Sequence, residues 1–150
     1  MTYPYAILTD SCCDLTGTQQ QELDVTSVPL TVTYNGENHE NFSQPAAVKA
    51  FYQELRRGVT AATAAVNPEG WAAAMAPCLA QGQDVLVLTI SSALSATYQS
   101  AVIAAQELGQ QYPQRKIYVV DTLCAALGQG LLVWHASRQR RALSLIHISE

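Results

Sequence analysis

Charged residues are few in this 150-residue chain: Asp, Glu, Lys and Arg make up 13% of it, and the formal net charge at pH 7 is −4. Nucleic-acid binding needs clustered Lys and Arg to neutralise phosphates, and the only dense basic group is Arg138, Arg140 and Arg141. Nucleic acid is therefore not an expected partner. Long apolar runs are missing too. None approaches the ~20 residues that span a bilayer, and the start, Met-Thr-Tyr-Pro, carries no basic leader. The expected compartment is the cytoplasm. Cysteine is limited to Cys12, Cys13, Cys78 and Cys124, with no C-x-x-C spacing. With few His residues to join them a zinc site is not expected, and the thiols read as small buried hydrophobes.

Glycine motifs are equally thin. Gly128-Gln129-Gly130 has no third glycine at dinucleotide spacing, and the first strand-loop-helix turn has none, which disfavours a dinucleotide cofactor. Ser91, Ser92 and Ser95 are not framed as G-x-S-x-G, so a serine hydrolase is disfavoured as well. His39, His135 and His147 are candidates for a base by count alone. What the chain does have is apolar material: 49% of its residues are hydrophobic, and a single domain of this length buries roughly 70% of its unfolded surface.

The stretch from Asp84 to Leu108 organises the rest. Val85 to Ile90 is a short apolar, β-branched run of the kind buried on both faces of a parallel sheet. Leu94, Tyr98, Ala101, Val102, Ala105 and Leu108 then recur at helical spacing and predict one stripe laid against that sheet. Between them lies Ser91-Ser92-Ala93-Leu94-Ser95. Three hydroxyls and the free N–H groups of a helix start suit an anionic oxygen ligand, a carboxylate or a phosphate.

Tyr5 to Thr9 reads as a first strand, followed by the loop Asp10 to Asp14 and a polar helix from about Leu15 to Leu23. Asp10, Ser11 and Asp14 fall past the strand's C-terminal end, where open α/β sheets place ligands; otherwise Asp14 caps the helix and Asp10 satisfies loop amides. Val25 to Tyr34 is extended, with Pro29 suited to an edge or a strand start, and Tyr34-Asn35-Gly36-Glu37 predicts a hairpin. Ser43 and Pro45 open a helix that Gly58 closes. Thr60 to Asn67 reads as a loop of small residues, and Asn67-Pro68-Glu69 as a helix start, with Pro77 forcing a kink or an early end. Lys116 to Val120 is a further strand with Asp121 and Thr122 at its ligand edge, and Ala125 to Trp134 could open a last helix. The pattern is α/β: a layered α/β/α domain with a largely parallel sheet.

Four segments, in order, resemble the DegV family: Ile7-Leu-Thr-Asp-Ser-Cys-Cys-Asp14, Ala62-Thr-Ala-Ala-Val-Asn-Pro68, Ile90-Ser-Ser-Ala-Leu-Ser-Ala-Thr-Tyr-Gln-Ser-Ala101 and Val119-Val-Asp-Thr-Leu-Cys-Ala-Ala-Leu-Gly-Gln-Gly130. The resemblance implies a DegV-like N-terminal domain, from a family of two-domain α/β carriers that enclose one long-chain fatty acid, some presenting it to a fatty acid kinase. It implies no enzyme activity and no cofactor. On it, Thr63, Ser92 and Ser95 hold the fatty-acid carboxylate, with Ser11, Ser91 and Asp10 secondary. Ala62, Ala64, Ala96 and Ala126 stand where the family pattern has Thr, Ser, Gly and Ser, so fewer hydroxyls line the site.

The likeness runs over about residues 3 to 136, which sets the expected division: 1–137 as the family domain and 138–150 as a non-family tail. Ala142 to Glu150 looks like translated adapter read-through, which implies a truncated gene fragment and a loosely held tail. The competing class is a doubly wound enzyme acting on a phosphorylated small molecule, with Asp10, Asp14 and Asp121 as acid, base or metal ligands.

Overall fold

A computed structural model describes residues 3–40 and 45–146, the side chains of 143–146 excepted. Among these residues seven strands and five α-helices follow in the order β1 (Tyr5–Asp10), a 3-10 turn (Ser11–Cys13), α1 (Gly17–Leu23), β2 (Thr26–Val28), β3 (Thr31–Tyr34), β4 (Glu37–His39), α2 (Pro45–Arg56), β5 (Ala62–Ala64), α3 (Pro68–Ala80), β6 (Asp84–Thr89), α4 (Thr97–Gln111), β7 (Ile117–Asp121) and α5 (Ala126–Ile146). The main sheet has the order β2-β1-β6-β7 and is parallel throughout, with Ile7 opposite Leu86 and Val87 opposite Val119. A small antiparallel sheet, β4-β3-β5, stands beside it. The layered, largely parallel α/β domain expected from the sequence is the one found.

Alternation along the central strands sorts side chains to two faces. Leu8, Val85 and Val87 face α3 and α4 and bury Trp71, Met75, Leu79, Ala101, Ala104 and Leu108. Alanine at 101 and 104 lets α4 sit close enough for the Trp71 indole N–H to donate to the Thr97 carbonyl at 3.1 Å. Ile7 and Leu88 belong to the opposite layer, with Leu23, Val25 and Val133. Strands covered on both faces need near-continuous apolar runs, which is what β1 and β6 supply.

Local signals placed several boundaries. Asn67 caps α3 by accepting from the Gly70 amide, with Pro68 in the first turn. Asn35 and Gly36 both adopt positive φ, 53° and 76°, as the tight β3-β4 hairpin turn demands. Tyr34 on that hairpin stacks on His39 and meets Phe51 of α2, with ring centroids 4.0 and 5.3 Å apart.

Other expectations are corrected. Thr16, not Asp14, caps α1: its hydroxyl accepts from the Gln19 amide and the Gln19 side chain returns to the Thr16 amide, while Asp14 takes a left-handed conformation. The loop expected over Thr60–Asn67 contains β5, because antiparallel pairing with Thr31–Thr33 satisfies its backbone. Val25–Tyr34 splits at Pro29 into strands of two different sheets. Leu94 is not part of the α4 stripe; the helix begins at Thr97, leaving Leu94 in the preceding turn, 67% exposed. Pro77 lies in the last turn of α3, which continues to Ala80. Of the four cysteines only Cys13 is fully buried. Ser43 and His147 lie outside the described residues.

The largest surprise is α5. The helix runs across the expected division at 137/138, and Arg140, only 1% exposed, is one of the most deeply buried side chains described. Its guanidinium donates to the carbonyls of Tyr5, Leu23 and Asp24 and to the Asp24 carboxylate at 3.3 Å, and it stacks over the Tyr3 ring. Ser137 Oγ donates to the same Leu23 carbonyl at 2.6 Å. These bonds satisfy carbonyls that α1 leaves open at its C-terminus. Higher up, Gly130 lets α5 touch the turn after β1: a Cβ there would meet the Cys13 carbonyl oxygen at 2.5 Å. Gly128, two residues earlier, has only an ordinary contact with Cys124. Gly130→Ala should therefore cost roughly 1–3 kcal/mol in urea unfolding, whereas Gly128→Ala should be neutral or stabilise by up to about 1 kcal/mol. Equal effects of the two would refute this seating of α5.

Candidate functional site

The C-terminal ends of β1, β6 and β7 form one edge, and their polar residues are tied together beneath it. Asp10, completely buried, accepts from the Cys12 amide through Oδ1 at 3.0 Å and from the Ile90 amide through Oδ2 at 2.7 Å. Burial pushes its carboxyl above the ordinary value, against the hydrogen bonds to Ile90, Gln129 and Cys12. Gln129 of α5 donates from Nε2 to Thr9 Oγ1 at 3.0 Å, and Thr9 Oγ1 donates to the Leu88 carbonyl at 2.8 Å. Thr122 Oγ1 donates to the Thr89 carbonyl at 2.7 Å. Burial, then the nearby Asp10 charge, pushes the Cys12 thiol up to about 12, so it stays protonated at neutral pH.

Above this floor runs the turn from Ser91 to Ala96. Ser91 is buried: its amide donates to the Cys124 carbonyl, its carbonyl accepts from Leu94 and Ser95, and its hydroxyl accepts from Ala93. Ser95 is half-buried, with Oγ 2.8 Å from Thr97 Oγ1 and accepting from the Thr97 amide. It does the capping that Ala96, the residue at the cap position, lacks a side chain to do. Ser92 is exposed. Its amide donates to Asp121 Oδ1 at 3.1 Å, as does the Leu123 amide. The Ser92 hydroxyl is the main influence holding the Asp121 carboxyl below its usual range. Part of the anion-binding capacity read from the sequence is thus already used by a carboxylate of the chain itself.

The expected site residues therefore separate. Ser91, Ser92, Ser95, Ser11 and Asp10 share the strand-end edge, whereas Thr63 lies at the middle of β5 in the small sheet, exposed and opposite Val32. Ser11 Oγ accepts from the Leu30 amide at 3.0 Å and so links this edge to the start of β3. Asp14 is exposed, and Asp10 has both carboxylate oxygens engaged by backbone amides. Among the described residues no group of three His, Cys, Asp or Glu could hold a metal ion. Two grooves open elsewhere: one of about 250 Å3 lined by Tyr5, Asp84, Val85, Leu86 and Tyr118, the other beside the hairpin from Thr33 to Gly36 and the segment Gly58 to Ala62. Neither is lined by Thr63, Ser92 or Ser95.

Thr122 stands at this edge as the sequence reading placed it, whereas Gln129 and Thr97 are parts of the edge that reading did not single out. Gln129 carried a signal, being an amide side chain within an otherwise apolar helix start, while Thr97 was hidden by placing the helix start too early.

The family comparison follows the same four segments and goes beyond them. A family model described as "Uncharacterised protein, DegV family" matches residues 4–142. The chain belongs to the DegV family. A DegV domain-containing protein of Clostridium perfringens is 39% identical over 138 residues, covering 91% of this chain and 47% of its own length. A fatty acid-binding protein of Thermotoga maritima is 34% identical over 123 residues, covering 80% of this chain and 41% of its own. Among solved structures, a stearic acid-binding protein from Eubacterium ventriosum superposes with a TM-score of 0.83 at 27% identity, over 92% of this chain and 48% of that one. A DegV family protein from Thermus thermophilus, described by its fatty acid binding, gives 0.79 at 34% identity, over 90% and 46%. The chain spans about half the length of these DegV relatives, and the match passes Arg140. No helix among the described residues is long and apolar enough to cross a membrane.

The buried Asp10 carboxyl sets a pH dependence. Its folded pKa is raised above the unfolded value, so folding holds its proton more tightly. The associated stability is present at low pH and is lost as pH rises through the folded pKa. In urea unfolding measured from pH 7 down towards pH 4, the stability difference between wild type and Asp10→Asn should move in favour of wild type. A difference that does not change with pH would show that Asp10 is not buried as described.

Proposed function

We propose that this DegV domain is a lipid carrier, not an enzyme, and that it holds the carboxylate of a long-chain fatty acid at Thr63, Ser92 and Ser95 in the cytoplasm, for presentation to a fatty acid kinase. The observation that carries this reading is the exposed Ser92 hydroxyl on a strand-end turn, in a chain whose relatives of known structure include fatty-acid-binding DegV proteins. The chemistry is consistent with it. Hydroxyl donors to a carboxylate contribute roughly 1.5–3 kcal/mol each, and the alkyl tail adds about 0.8 kcal/mol per buried methylene. Asp121 works against the head group, since a second carboxylate beside Ser92 repels the first. The same residue then tunes affinity: the donors are shared between a fixed carboxylate and a bound one.

Native mass spectrometry of protein from a bacterial host should reveal a co-purified fatty acid. Magnesium-dependent phosphatase or kinase turnover that Asp10→Asn abolishes would instead establish the enzyme class. In fatty-acid titrations, Thr63→Val and Ser92→Ala should each weaken binding, with stability changed by no more than ~1–2 kcal/mol, because each removes a hydroxyl without opening a cavity. Asp121→Asn should tighten binding several-fold by removing the opposing charge. Unchanged affinity in the Thr63→Val, Ser92→Ala double variant would move the head group elsewhere.

A further inference from the structure

The two edges of the main sheet differ in a way that bears on assembly. At one edge β2 is three residues long and runs straight into Pro29, a short strand with a stop. At the other edge β7, Ile117-Tyr-Val-Val-Asp121, has no proline, no interior lysine and no glycine. Among the described residues β6 is its only strand partner. The ladder fixes which groups stay free. Val85 N–H donates to the Lys116 carbonyl and Thr122 N–H donates to the Thr89 carbonyl, with Val87 opposite Val119. In a parallel ladder alternate residues turn both backbone groups to the same neighbour, so Tyr118 and Val120 bond to β6. Ile117, Val119 and Asp121 point their N–H and C=O groups away from the sheet.

The side chains are equally one-sided. Ile117 and Val119 pack against the α3-α4 core. Tyr118 and Val120, on the other face, are 60% and 40% exposed, although parallel strands are ordinarily covered on both faces. The groove lined by Tyr5, Leu86 and Tyr118 opens beside them.

We propose that β7 is a homotypic docking edge: two copies of this chain pair their β7 strands antiparallel about a two-fold axis at Val119, joining two four-stranded sheets into one of eight strands. The outward-pointing residues are self-complementary in that register. Val119 opposes Val119, and Ile117 opposes Asp121, so every free group on these residues gains a partner. Tyr118 then opposes Val120 in the closer, non-hydrogen-bonded pairing, and the exposed apolar residues of both copies form one strip. Charge selects the antiparallel direction. It sets the cationic start of each strand, Arg115 and Lys116, beside the anionic end of the other at Asp121. Arg115 and the other copy's Asp121 become same-face diagonal neighbours at about 7–8 Å, within reach of an arginine. Parallel pairing would set like charges side by side. Arg115 already uses Nη1 on the Gly82 carbonyl and, at 3.7 Å, on Asp84, which leaves its other guanidinium donors for the second copy's Asp121. Five paired residues a side cover less than the about 800 Å2 of a standard interface, so the dimer is a reversible one.

Sedimentation velocity on the 150-residue chain from about 5 μM to about 500 μM spans the range expected of a small interface; the sedimentation coefficient should rise from monomer to dimer. Hydrogen exchange should show the amides of Val119 and Asp121 gaining protection with concentration, while those of Tyr118 and Val120 are protected throughout. Val119→Pro removes an outward N–H without removing a bond to β6, and Tyr118→Lys places a charge opposite Val120; each should abolish the dimer. If Val119→Pro fails to fold, Tyr118→Lys carries the test, because that side chain is exposed. A chain that stays monomeric at 500 μM, or a dimer that survives Tyr118→Lys, would overturn the proposal.

Discussion

The 2.7 Å bond from the Ile90 amide to Asp10 Oδ2 joins the ends of β1 and β6, and the neighbouring turns take their positions from it. Asp10 also receives the Cys12 amide, so one carboxylate starts the 3-10 turn on its own strand and anchors the turn that follows β6. A buried carboxylate in an apolar layer is costly unless hydrogen bonds satisfy it. Here the donors are backbone amides, which do not need to lose side-chain freedom to reach it. Gln129 extends the same network to α5, and Gly130 next to it allows the close approach to Cys13. The strand-end edge is thus rigid underneath, while Ser92 and Leu94 above it are exposed.

A rigid floor with exposed hydroxyls suits recognition of a head group, but the donor account is tighter than a list of serines implies. Ser91 serves the turn, Ser95 serves the start of α4, and the Ser92 amide already serves Asp121. The Ser92 hydroxyl also bonds to the Asp121 carboxylate, so a ligand carboxylate at this turn competes with Asp121 for that one donor. Thr63, on β5 of the small sheet, is exposed and is the second hydroxyl of the proposed site. In the proposed site, two or three hydroxyls with a competing carboxylate would hold a head group weakly, and burial of an alkyl tail would have to supply most of the affinity.

The sequence made the main sheet legible because β1 and β6 are nearly pure apolar runs, and it made α3 legible because Asn67-Pro68-Glu69 names its own start. Errors came where one local signal could serve two structures. Thr60–Asn67 has the small residues of a loop, yet Ala62–Ala64 pairs with β3, since strand partnership is set by what lies alongside and not by the segment itself. Leu94 fitted the helical period and was drawn into α4, but the turn at Ser91 holds the chain for two more residues before helix begins. The four family segments brought Ser91, Ser92, Ser95 and Thr63 into view, but the Ser92–Asp121 contact joins residues 29 apart and no spacing rule reveals it.

Arg140 lies beyond the stretch over which the family motifs were legible, yet it is packed into the fold. A guanidinium has five donors in a flat fork, and the two terminal nitrogens of Arg140 donate to three main-chain carbonyls and one carboxylate. Its guanidinium lies over the Tyr3 ring and near that of Tyr5, and an aliphatic residue there would take these side-chain donors from the Tyr5 and Asp24 carbonyls. The consequence reaches past the helix. Val133 of α5 packs in the Ile7–Leu88 layer and Trp71 fills the other, so the central strands β1 and β6 are covered on both faces. The Ser92 turn and the outer face of β7 at Tyr118 and Val120 are exposed and lie outside that core. Stability and affinity are therefore separable properties here: side chains at Ser92, Asp121 or Tyr118 can be exchanged to alter binding or assembly without opening a cavity, while Arg140 and Gly130 govern only whether the scaffold stands.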